Sequence, residues 1–363
     1  MILHFLSSEE TRDVVTLTHG AGGSVMQNLI RKRIATHFGR ASIQSLEVSL
    51  DAFDDAAIVN GVVFTTDSYT VRPLFFPGGD IGALAVAGTV NDVAVMGGEP
   101  TAISLALIIE EGFAMSDLER IIESVASMSE RAGVRVVTGD TKVVERGSLE
   151  GLLINTSGIG FESSALMHNA EVVNSYRHSK PSRWLLDSNV QPGDKIMVSG
   201  YIADHGVAIM SVREGYSFKS GIVSDVAPIN GLMRKVLETG GVVAAKDPTR
   251  GGIANLLNEW SEKSRIGVDI LETEIPVRPQ VSAALDLLGI DPLVVGNEGK
   301  VVIAVVPECA GAVLEAMRSH PEGRNASIIG EATSRHEVVA MRTVVGGSRI
   351  IPSPAGDPVP RIC

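Results

Sequence analysis

Aromatic residues, cysteines and long apolar runs are scarce in this chain of 363 residues. Only 4% of the residues are aromatic while 38 are glycine, which favours tight turns and close backbone–ligand approach over aromatic stacking. The two cysteines form no C-x-x-C pair, so no structural zinc or iron–sulfur pattern is present. No charged-then-apolar leader opens the chain, and no apolar run is long enough to span a bilayer. We therefore expect a cytoplasmic protein that does not bind membranes.

Several common catalytic motifs are missing as well. There is no G-x-x-x-x-G-K-[ST] and no strand-linked G-x-G-x-x-G, so neither common phosphate loop applies. The eight histidines show no H-E-x-x-H or paired-ligand spacing, which argues against a zinc or iron site. The stretch "HGAGG" (19–23) is similar to the oxyanion loop of esterases, but no G-x-S-x-G serine accompanies it. The formal net charge of −12 argues against broad binding to nucleic acid.

The residues that are present indicate an α/β protein built of mixed α+β layers. Hydrophobic residues make up 44% and charged residues 20%, and the length fits two domains with large cores. In the first half the patterns predict strands at 62–67, 101–110, 134–140 and 152–161, and helices at 80–98 and 116–133. In the second half they predict helices near 204–214, 229–239 and 251–265, and strands near 242–245, 300–306, 326–330 and 337–341.

A polar stretch separates the two halves. We expect an N-terminal domain over 1–165, a polar insertion or linker over 166–191, a C-terminal α/β domain over 192–345 and a tail over 346–363. Within the polar stretch, 168–191 is interpreted as a surface insertion without functional residues.

One helix carries clear start and stop signals. Ser116 and Glu119 have the spacing of a capping box, and Gly133 is placed to end the same helix.

Acids recur at four sites among the strand ends and helix starts of the first half: Asp54-Asp55, Asp67, Asp92 and Asp140. Any one of them alone is more often a cap or turn residue. Gathered at the open ends of strands, they suit Mg²⁺ held between carboxylates and a phosphate. The glycines of "FPGGDIG" (76–82) can also turn N–H groups toward an anion at a helix start. The pattern predicts a Mg²⁺–phosphate site in the first domain.

Two cations and one further acid are additional candidates. Lys142 follows Asp140 in "GDTK", and Arg250 precedes two glycines and a helix in "DPTRGG", so both are candidates for touching phosphate. Glu298 in "GNEGK" is a candidate general base, although that stretch alone favours a plain turn residue. His205 in "ADHG" fits a capping or core histidine better than a catalytic one.

The last residue of the sequence is Cys363, and the residues before it are rich in proline: Pro352, Pro354, Pro358 and Pro360. A disordered terminus can end in any residue, so chance is one interpretation. The other is a nucleophile on a stiff arm that moves between two reaction sites. At roughly 3.1 Å per residue, the stretch from Gly347 to Cys363 would reach on the order of 50 Å.

A set of motifs, taken together, resembles one family. They are "HGAGG", "TTDSYTVRPLFFPGGDIG", "GTVNDVAVMG", "VTGDTKVV", "PGDKIMVSGYIADHG", "DPTRGG", "NEGK" and the terminal "PRIC", in this order from His19 to Cys363. The chain resembles the HypE family, the carbamoyl dehydratases of [NiFe]-hydrogenase maturation. That family lies within a group of ATP-binding proteins related to aminoimidazole ribonucleotide synthetase and selenophosphate synthetase. The inner motifs are shared with the wider group, whereas "PRIC" is specific to HypE.

The resemblance implies a two-domain aminoimidazole ribonucleotide synthetase-like fold with a flexible C-terminal tail, and a homodimer formed through the first sheet. It implies that a carbamoyltransferase loads Cys363 with a carbamoyl group, which ATP and Mg²⁺ then dehydrate to a thiocyanate. The cyanide would pass to iron in a scaffold complex. The residues implied to bind ATP are Asp55, Asp67, Asn91, Asp92, Thr138, Gly139, Asp140 and Arg250. Lys142 and Glu298 would act beside Cys363, as the cation and the base.

Two other functions remain as alternatives. The first is another ATP-dependent kinase-like enzyme of the same fold, similar to selenophosphate synthetase. Those enzymes use a reactive Cys or selenocysteine near the N-terminus, and here no cysteine precedes Cys309. The second is a non-catalytic maturation scaffold whose tail cysteine holds a metal, although a single thiol is a poor metal site.

Overall fold

The computed structural model describes residues 14–38, 45–179, 181–213, 221–356, 358–359 and 361–363. The start of the predicted domain 1–165, the last residue of the predicted helix 204–214, and Pro360 of the tail lie outside these residues.

The N-terminal half forms a six-stranded sheet covered by helices. Its helices are α1 (Gly23–Leu29), α2 (Ile81–Val95), α3 (Met115–Ala132) and α4 (Ser164–Tyr176). Its strands are β1 (Leu46–Val48), β2 (Ala57–Val59), β3 (Val62–Tyr69), β4 (Phe75–Phe76), β5 (Gly79–Asp80), β6 (Gly98–Glu110), β7 (Arg135–Val144) and β8 (Leu152–Glu162). The sheet order is β1-β2-β3-β8-β6-β7, so β7 is an edge strand, while β4 and β5 pair separately.

The C-terminal half forms a seven-stranded sheet. Its helices are α5 (Asp204–Arg213), α6 (Asn230–Thr239), α7 (Gly252–Ser264), α8 (Pro279–Leu288) and α9 (Ala310–Arg318). Its strands are β9 (Lys195–Val198), β10 (Val242–Lys246), β11 (Gly267–Leu271), β12 (Val302–Val305), β13 (Ser327–Thr333), β14 (Val339–Arg342) and β15 (Ser348–Ile350). The order is β10-β12-β9-β13-β11-β14-β15, and the predicted α/β architecture is confirmed.

Helix α2 lies against the first sheet because its residues are small. It is buried along almost its whole length, and a Cβ added at Gly88 would overlap the Tyr69 hydroxyl of β3. The Asp80 carboxylate caps this helix by accepting hydrogen bonds from Gly82 N (2.8 Å) and Ala83 N (3.0 Å). The expected anion site at 76–82 is therefore wrong, since the chain's own carboxylate occupies that helix start.

The expected capping box of α3 is also wrong. The helix begins one residue earlier than expected, its N-cap is Ala114, and no side chain caps it. Gly133 does end the helix, in a left-handed conformation with φ 71°.

The two halves share their hydrophobic cores. One core packs Val93 and Met96 of the first half with Val243 and Trp260 of the second, and the other core packs Val86 with Val207. The cleft described below lies along this shared boundary. Among the described residues, no helix combines the length and apolar character needed to cross a bilayer.

The stretch between the halves is part of this shared core. Residues 164–176 form α4, and beyond it Trp184, Leu185 and Asp187 are each at most 2% exposed. The interpretation of 168–191 as a surface insertion without functional residues is therefore wrong. Asn189 in this stretch is buried and donates to the Trp184 and Val243 carbonyls.

The tail is docked along the body of the protein. Residues 348–350 pair with β14 as β15, and Ile351, Val359 and Ile362 are buried. Thr70 N donates to Cys363 O (3.2 Å), and Arg72 N donates to Arg361 O (3.2 Å). The expectation of a flexible arm beginning at Gly346 thus does not describe this structure, in which the chain end lies beside the residues that follow β3.

Candidate active site

A cleft of about 510 Å³ opens between the two halves and is lined by an unusual density of charge. Its charged residues are Arg31, Asp54, Asp55, Asp67, Asp92, Lys246, Asp247, Arg250, Glu259, Lys263 and Glu298, and Cys363 lies at its wall. The predicted acids of the first half, except Asp140, thus meet the loops of the second half in one cavity.

The wall from the first half carries Asp67 and Asp92. Asp67 lies on β3 and accepts a hydrogen bond from the Tyr69 hydroxyl (3.2 Å). Asp92 lies on α2 and accepts one from Thr65 Oγ1 (2.7 Å). Burial, followed by the charges of Asp67 and Asp247, raises the pKa of Asp92 well above its usual value. A cation that enters the cleft would therefore stabilise the ionised carboxylates of Asp67 and Asp92.

The wall from the second half carries Asp247 and Glu298, in the loops after β10 and before β12. Burial, and then the charge of Asp55, raises the pKa of Asp247 to about 8. Burial, followed by Asp247 and Asp225, raises the pKa of Glu298 well above its usual value. Glu298 is 2% exposed, and its Oε1 accepts no hydrogen bond from the described residues. Its backbone is fixed because Glu298 N donates to Asp225 Oδ1 (3.0 Å).

Beneath the cleft lies a charged cluster centred on Asp187. Its carboxylate accepts from Lys263 Nζ (2.6 Å) and Trp260 Nε1 (2.7 Å), and Lys246 Nζ lies 3.5 Å away. Lys246 Nζ in turn donates to Asp55 Oδ1 (2.7 Å). Burial alone would raise the pKa of Asp187, but Lys246 and Lys263 outweigh it and the pKa is lowered.

Asp54 belongs to the same cluster. It lies 3.0 Å from Lys263 Nζ, and burial together with the charge of Asp187 raises its pKa to about 7. The two lysines are shared among four acids of the cluster, Asp54, Asp55, Asp187 and Glu259. The cluster is thus short of positive charge, and it holds Asp55 at the edge of the cleft.

Arg250 brings a positive charge to the tail. The charge at Cys363 raises the pKa of Arg250, and Asp67 and Glu298 act in the same direction. Arg250 comes directly before Gly251 and Gly252, which both have left-handed backbones. A Cβ at Gly252 would lie 2.5 Å from Leu293 O and 2.6 Å from Val295 O, so this glycine allows α7 to begin directly against that loop.

Six predicted site residues meet in the cleft: Asp55, Asp67, Asp92, Arg250, Glu298 and Cys363. Asn91 does not, because its amide donates to Ala227 O (3.1 Å) and Glu298 O (3.4 Å) and accepts from Ile229 N (2.8 Å). The expectation that Asn91 binds ATP is corrected: it is buried and holds the loop of Glu298 in place.

The "TGDTK" residues are also absent from this cleft. Thr138, Gly139, Asp140 and Lys142 lie on β7, where the side chains of Asp140 and Lys142 are 66% and 70% exposed and their charged atoms are 3.9 Å apart. β7 is the outer strand of the sheet, so these side chains point into solvent rather than toward the cleft of the same chain. Gly139 is explained by packing, since a Cβ there would overlap the Leu105 carbonyl of β6.

Sequence reasoning missed Lys246, Asp247, Lys263 and Asp187. Asp247 is the first residue of the motif "DPTRGG" and Lys246 directly precedes it, and the unbroken apolar strand before Lys246 was a usable signal of its burial. Lys263 and Asp187 had no such signal, since their pairing links positions 76 residues apart.

Comparisons with known proteins agree with this architecture. The model of the AIR synthase related protein N-terminal domain matches residues 53–161, and that of the C-terminal domain matches residues 191–342. The carbamoyl dehydratase HypE of Bradyrhizobium diazoefficiens is 46% identical over 357 residues, covering 96% of this chain and 96% of that protein.

Solved structures of HypE proteins also match this chain over most of its length. A crystal structure of a HypE–HypF complex matches with a TM-score of 0.79 at 44% identity, covering 90% of this chain and 99% of that one. The hydrogenase maturation protein HypE in complex with ATP matches with a TM-score of 0.76 at 39% identity, covering 96% and 100%. The expected aminoimidazole ribonucleotide synthetase-like fold is confirmed.

Proposed function

The chain belongs to the HypE family of carbamoyl dehydratases, and from that premise we propose that it uses ATP to dehydrate an S-carbamoyl group on Cys363 to a thiocyanate. The observation that carries the proposal is the position of the tail. Cys363 lines the same cleft as Asp67, Asp92, Arg250 and Glu298. The group to be dehydrated and the groups suited to bind a nucleotide therefore meet without any movement of the two halves.

The reaction removes one water from the carbamoyl group. Its carboxamide oxygen attacks the γ-phosphorus of ATP, the bond from that phosphorus to the ADP oxygen breaks, and ADP leaves with the electron pair. The C–O bond then breaks with release of phosphate, and the nitrogen loses two protons as the C≡N bond forms. The protein must therefore position a nucleotide, neutralise phosphate charge and accept protons.

The carboxylates of the cleft fit a magnesium–nucleotide complex better than a metal alone. No group of three or more His, Cys, Asp or Glu side chains is arranged to hold a metal by itself in the part of the chain that the structure describes. Mg²⁺ takes one or two carboxylates and completes its shell with phosphate oxygens and water, and it would neutralise phosphate charge here. Asp55, Asp67 and Asp92 offer only hard oxygen atoms. Burial raises the pKa of Asp55 and of Asp92, and at Asp92 the negative charges of Asp67 and Asp247 add to it, so a bound cation would favour the ionised carboxylates.

Glu298 is the proposed base. It lies in the cleft, its Oε1 has no hydrogen-bond donor among the described residues, and its raised pKa makes the ionised form strongly basic. The positive charge of Arg250 favours that ionised form. Arg250 is also positioned to contact phosphate, since it lies in the cleft and near the charge of Cys363.

We propose that Lys142 and Asp140 act in the cleft of a second copy of the chain. They lie on β7, whose ten residues form an exposed sheet edge with Val137 64% and Val143 67% exposed. A long apolar edge strand invites pairing with another chain. A homodimer formed at this edge would bury the two valines and carry "TGDTK" away from its own cleft.

The proposed partners follow from the relatives. One solved relative is a complex of HypE with HypF, and we propose that a carbamoyltransferase likewise loads Cys363 of this chain. We also propose that the cyano group is transferred to an iron-carrying scaffold complex. All of these reactions are proposed to take place in the cytoplasm. The scaffold and the location are supported by the relatives, whose names refer to hydrogenase formation or maturation.

The proposal is tested by mass spectrometry. Cyanate carbamoylates Cys363, and addition of Mg²⁺ and ATP is expected to remove the mass of one water from the C-terminal peptide, with one ADP formed per event. Cys363→Ser, treated in the same way, controls for modified amines. A carbamoylated peptide whose mass ATP leaves unchanged would refute the proposed reaction.

A further inference from the structure

His205 is fully buried at the start of α5, and both of its ring nitrogens are engaged. Nδ1 lies 2.7 Å from Ser224 Oγ, and Nε2 lies 2.8 Å from the carbonyl oxygen of Ile362. Because a carbonyl only accepts, Nε2 carries the proton and donates it to the tail. Nδ1 then accepts the Ser224 hydroxyl proton, which fixes the tautomer.

The position of the imidazole is set by the fold around it. Its ring makes a T-shaped contact with the Phe76 ring, with centroids 5.4 Å apart and planes at 89°. Ser224 is held by its own backbone N–H, which donates to Pro77 O (2.7 Å), and its hydroxyl accepts from Val226 N (3.1 Å). With both nitrogens used, His205 has no site left to act as a general base on a substrate.

The residue that His205 holds is anchored a second time by its side chain. Ile362 is fully buried, and its Cδ1 occupies the space above Gly296, where any Cβ would overlap it. Gly296 lies in the same loop as Glu298, two residues before it. The tail is therefore fitted against the loop that carries the proposed base.

The residue before Ile362 is held on the other side. Arg213, at the end of α5, donates to the carbonyls of Arg72 (2.6 Å) and Arg361 (2.9 Å). Arg361 Nε donates to Thr70 O (3.1 Å). Helix α5 thus holds the tail with residues from both of its ends, His205 and Arg213.

We infer that His205 is a positioning residue: by donating to the Ile362 carbonyl it holds the last peptide of the tail in the cleft and so places the Cys363 thiol for reaction. The positioning role rests on the proposed function, whereas docking of the tail by His205 can be measured without it. Without the donor, the buried Ile362 carbonyl loses its partner, and the ratio of docked to undocked tail falls roughly tenfold.

Carboxypeptidase digestion of the full-length protein measures this population, since an exopeptidase can only cleave an undocked chain end. Intact-mass spectrometry follows loss of Cys363, and each rate is divided by the rate on a free peptide of the same terminal sequence. His205→Leu is expected to speed trimming roughly tenfold. His205→Gln, which keeps a donor near the Nε2 position, is expected to restore the slow rate. His336→Leu makes the same change between β13 and β14, where the imidazole pairs with Asp269 (3.0 Å) rather than with residues 361–363, and it should leave the rate unaltered.

A substitution in the tail itself gives a second test, and this one leaves the folding of the two halves unaffected. Ile362→Ala removes the buried side chain and is expected to speed normalised trimming on the order of 100-fold. Trimming of His205→Leu or of Ile362→Ala at the wild-type rate would overturn the inference, and so would a His205→Gln protein trimmed as fast as His205→Leu.

A final readout separates positioning from general structural damage. With Cys363 carbamoylated, His205→Leu should lose water more slowly than wild type, because the imidazole no longer fixes the peptide that carries the thiol, while its affinity for Mg²⁺–ATP stays at the wild-type value. Trimming needs neither ATP nor a carbamoyl group. If trimming behaves as expected but neither wild type nor His205→Leu loses water, His205 still docks the tail and the proposed function fails. If wild type and His205→Leu lose water at equal rates, the positioning role of His205 fails instead.

Discussion

Asp247 offers a test of whether the cleft is built to receive positive charge. Its carboxyl is almost completely buried, and burial together with the charge of Asp55 raises its pKa from 3.8 to about 8, although Lys246 acts in the opposite direction. Asp247→Asn keeps the size and one acceptor oxygen but removes the titrating proton.

The sign follows from the number of protons that each state binds. Between about pH 5 and 7 the folded chain keeps the Asp247 proton, whereas the unfolded chain has lost it. The free energy of unfolding therefore falls as pH rises, by about 1.4 kcal/mol per pH unit from this group alone. From pH 5 to pH 7 the loss is on the order of 3 kcal/mol, and it continues until the pH passes the folded pKa of about 8.

Urea unfolding followed by tryptophan fluorescence measures this slope. The chain has two tryptophans, Trp184 and Trp260, and both are at most 1% exposed, so unfolding changes the surroundings of both. The unfolding free energy of Asp247→Asn, relative to wild type, is expected to rise by about 3 kcal/mol between pH 5 and pH 7. Asp286→Asn, at an exposed position on α8, is the control and should run parallel to wild type. Parallel curves for Asp247→Asn as well would refute the reasoning.

Nucleotide binding gives an independent check on the native state. A Mg²⁺–nucleotide complex beside Asp247 would favour the ionised carboxylate and release its proton near pH 7. Calorimetry in buffers of different ionisation enthalpy is expected to show this release in wild type and a smaller release in Asp247→Asn. Binding enthalpies that do not depend on the buffer would contradict the raised pKa.

Three further changes test the rest of the site. Cys363→Ala, or deletion of residues 361–363, should leave nucleotide affinity intact and abolish the cyano adduct, and an adduct that still forms on the protein would contradict the role of the tail. Asp67→Asn and Asp140→Asn should each weaken Mg²⁺–nucleotide binding in calorimetry, with a smaller effect when the nucleotide is offered without metal; unchanged affinity in both would reassign these acids to structural roles. Alkylation of Cys363 should be slower with Mg²⁺–ATP than without it at each of several pH values, while Cys309 stays unreactive because it is buried; equal rates for Cys363 would show that nucleotide does not change access to the tail.

Patterns in the sequence predicted the elements well because their signals are local. The helix expected over 80–98 is Ile81–Val95, and the one expected over 251–265 is Gly252–Ser264. Apolar periodicity and glycine positions act within a few residues, so neither depends on how the two halves pack. Asp55, Asp67 and Asp92 were found for a related reason, since each stands close to the end of a strand or on a helix next to small residues.

The tertiary structure decided which of these residues share a site. Asn91 has the sequence context of a ligand, but docking of the two halves engages its amide with Ala227, Ile229 and Glu298. Lys142 also has the context of a site residue, but the strand order leaves β7 at the edge and turns the lysine away from its own cleft. The expected capping box failed for a similar reason, because the observed start of α3 at Met115 puts Ser116 inside the helix.

By itself, then, the sequence determined the order of the helices and strands, the family through its motifs, and most of the acids that reach the cleft. Only the tertiary structure showed that Asp187 ties Lys246 and Lys263 together across 59 and 76 positions, and that His205 holds the tail across 157. A buried charge or carbonyl must find its partner wherever packing leaves one, because water cannot reach it. That requirement acts between residues that meet only after both halves have folded, so no local pattern along the chain records it.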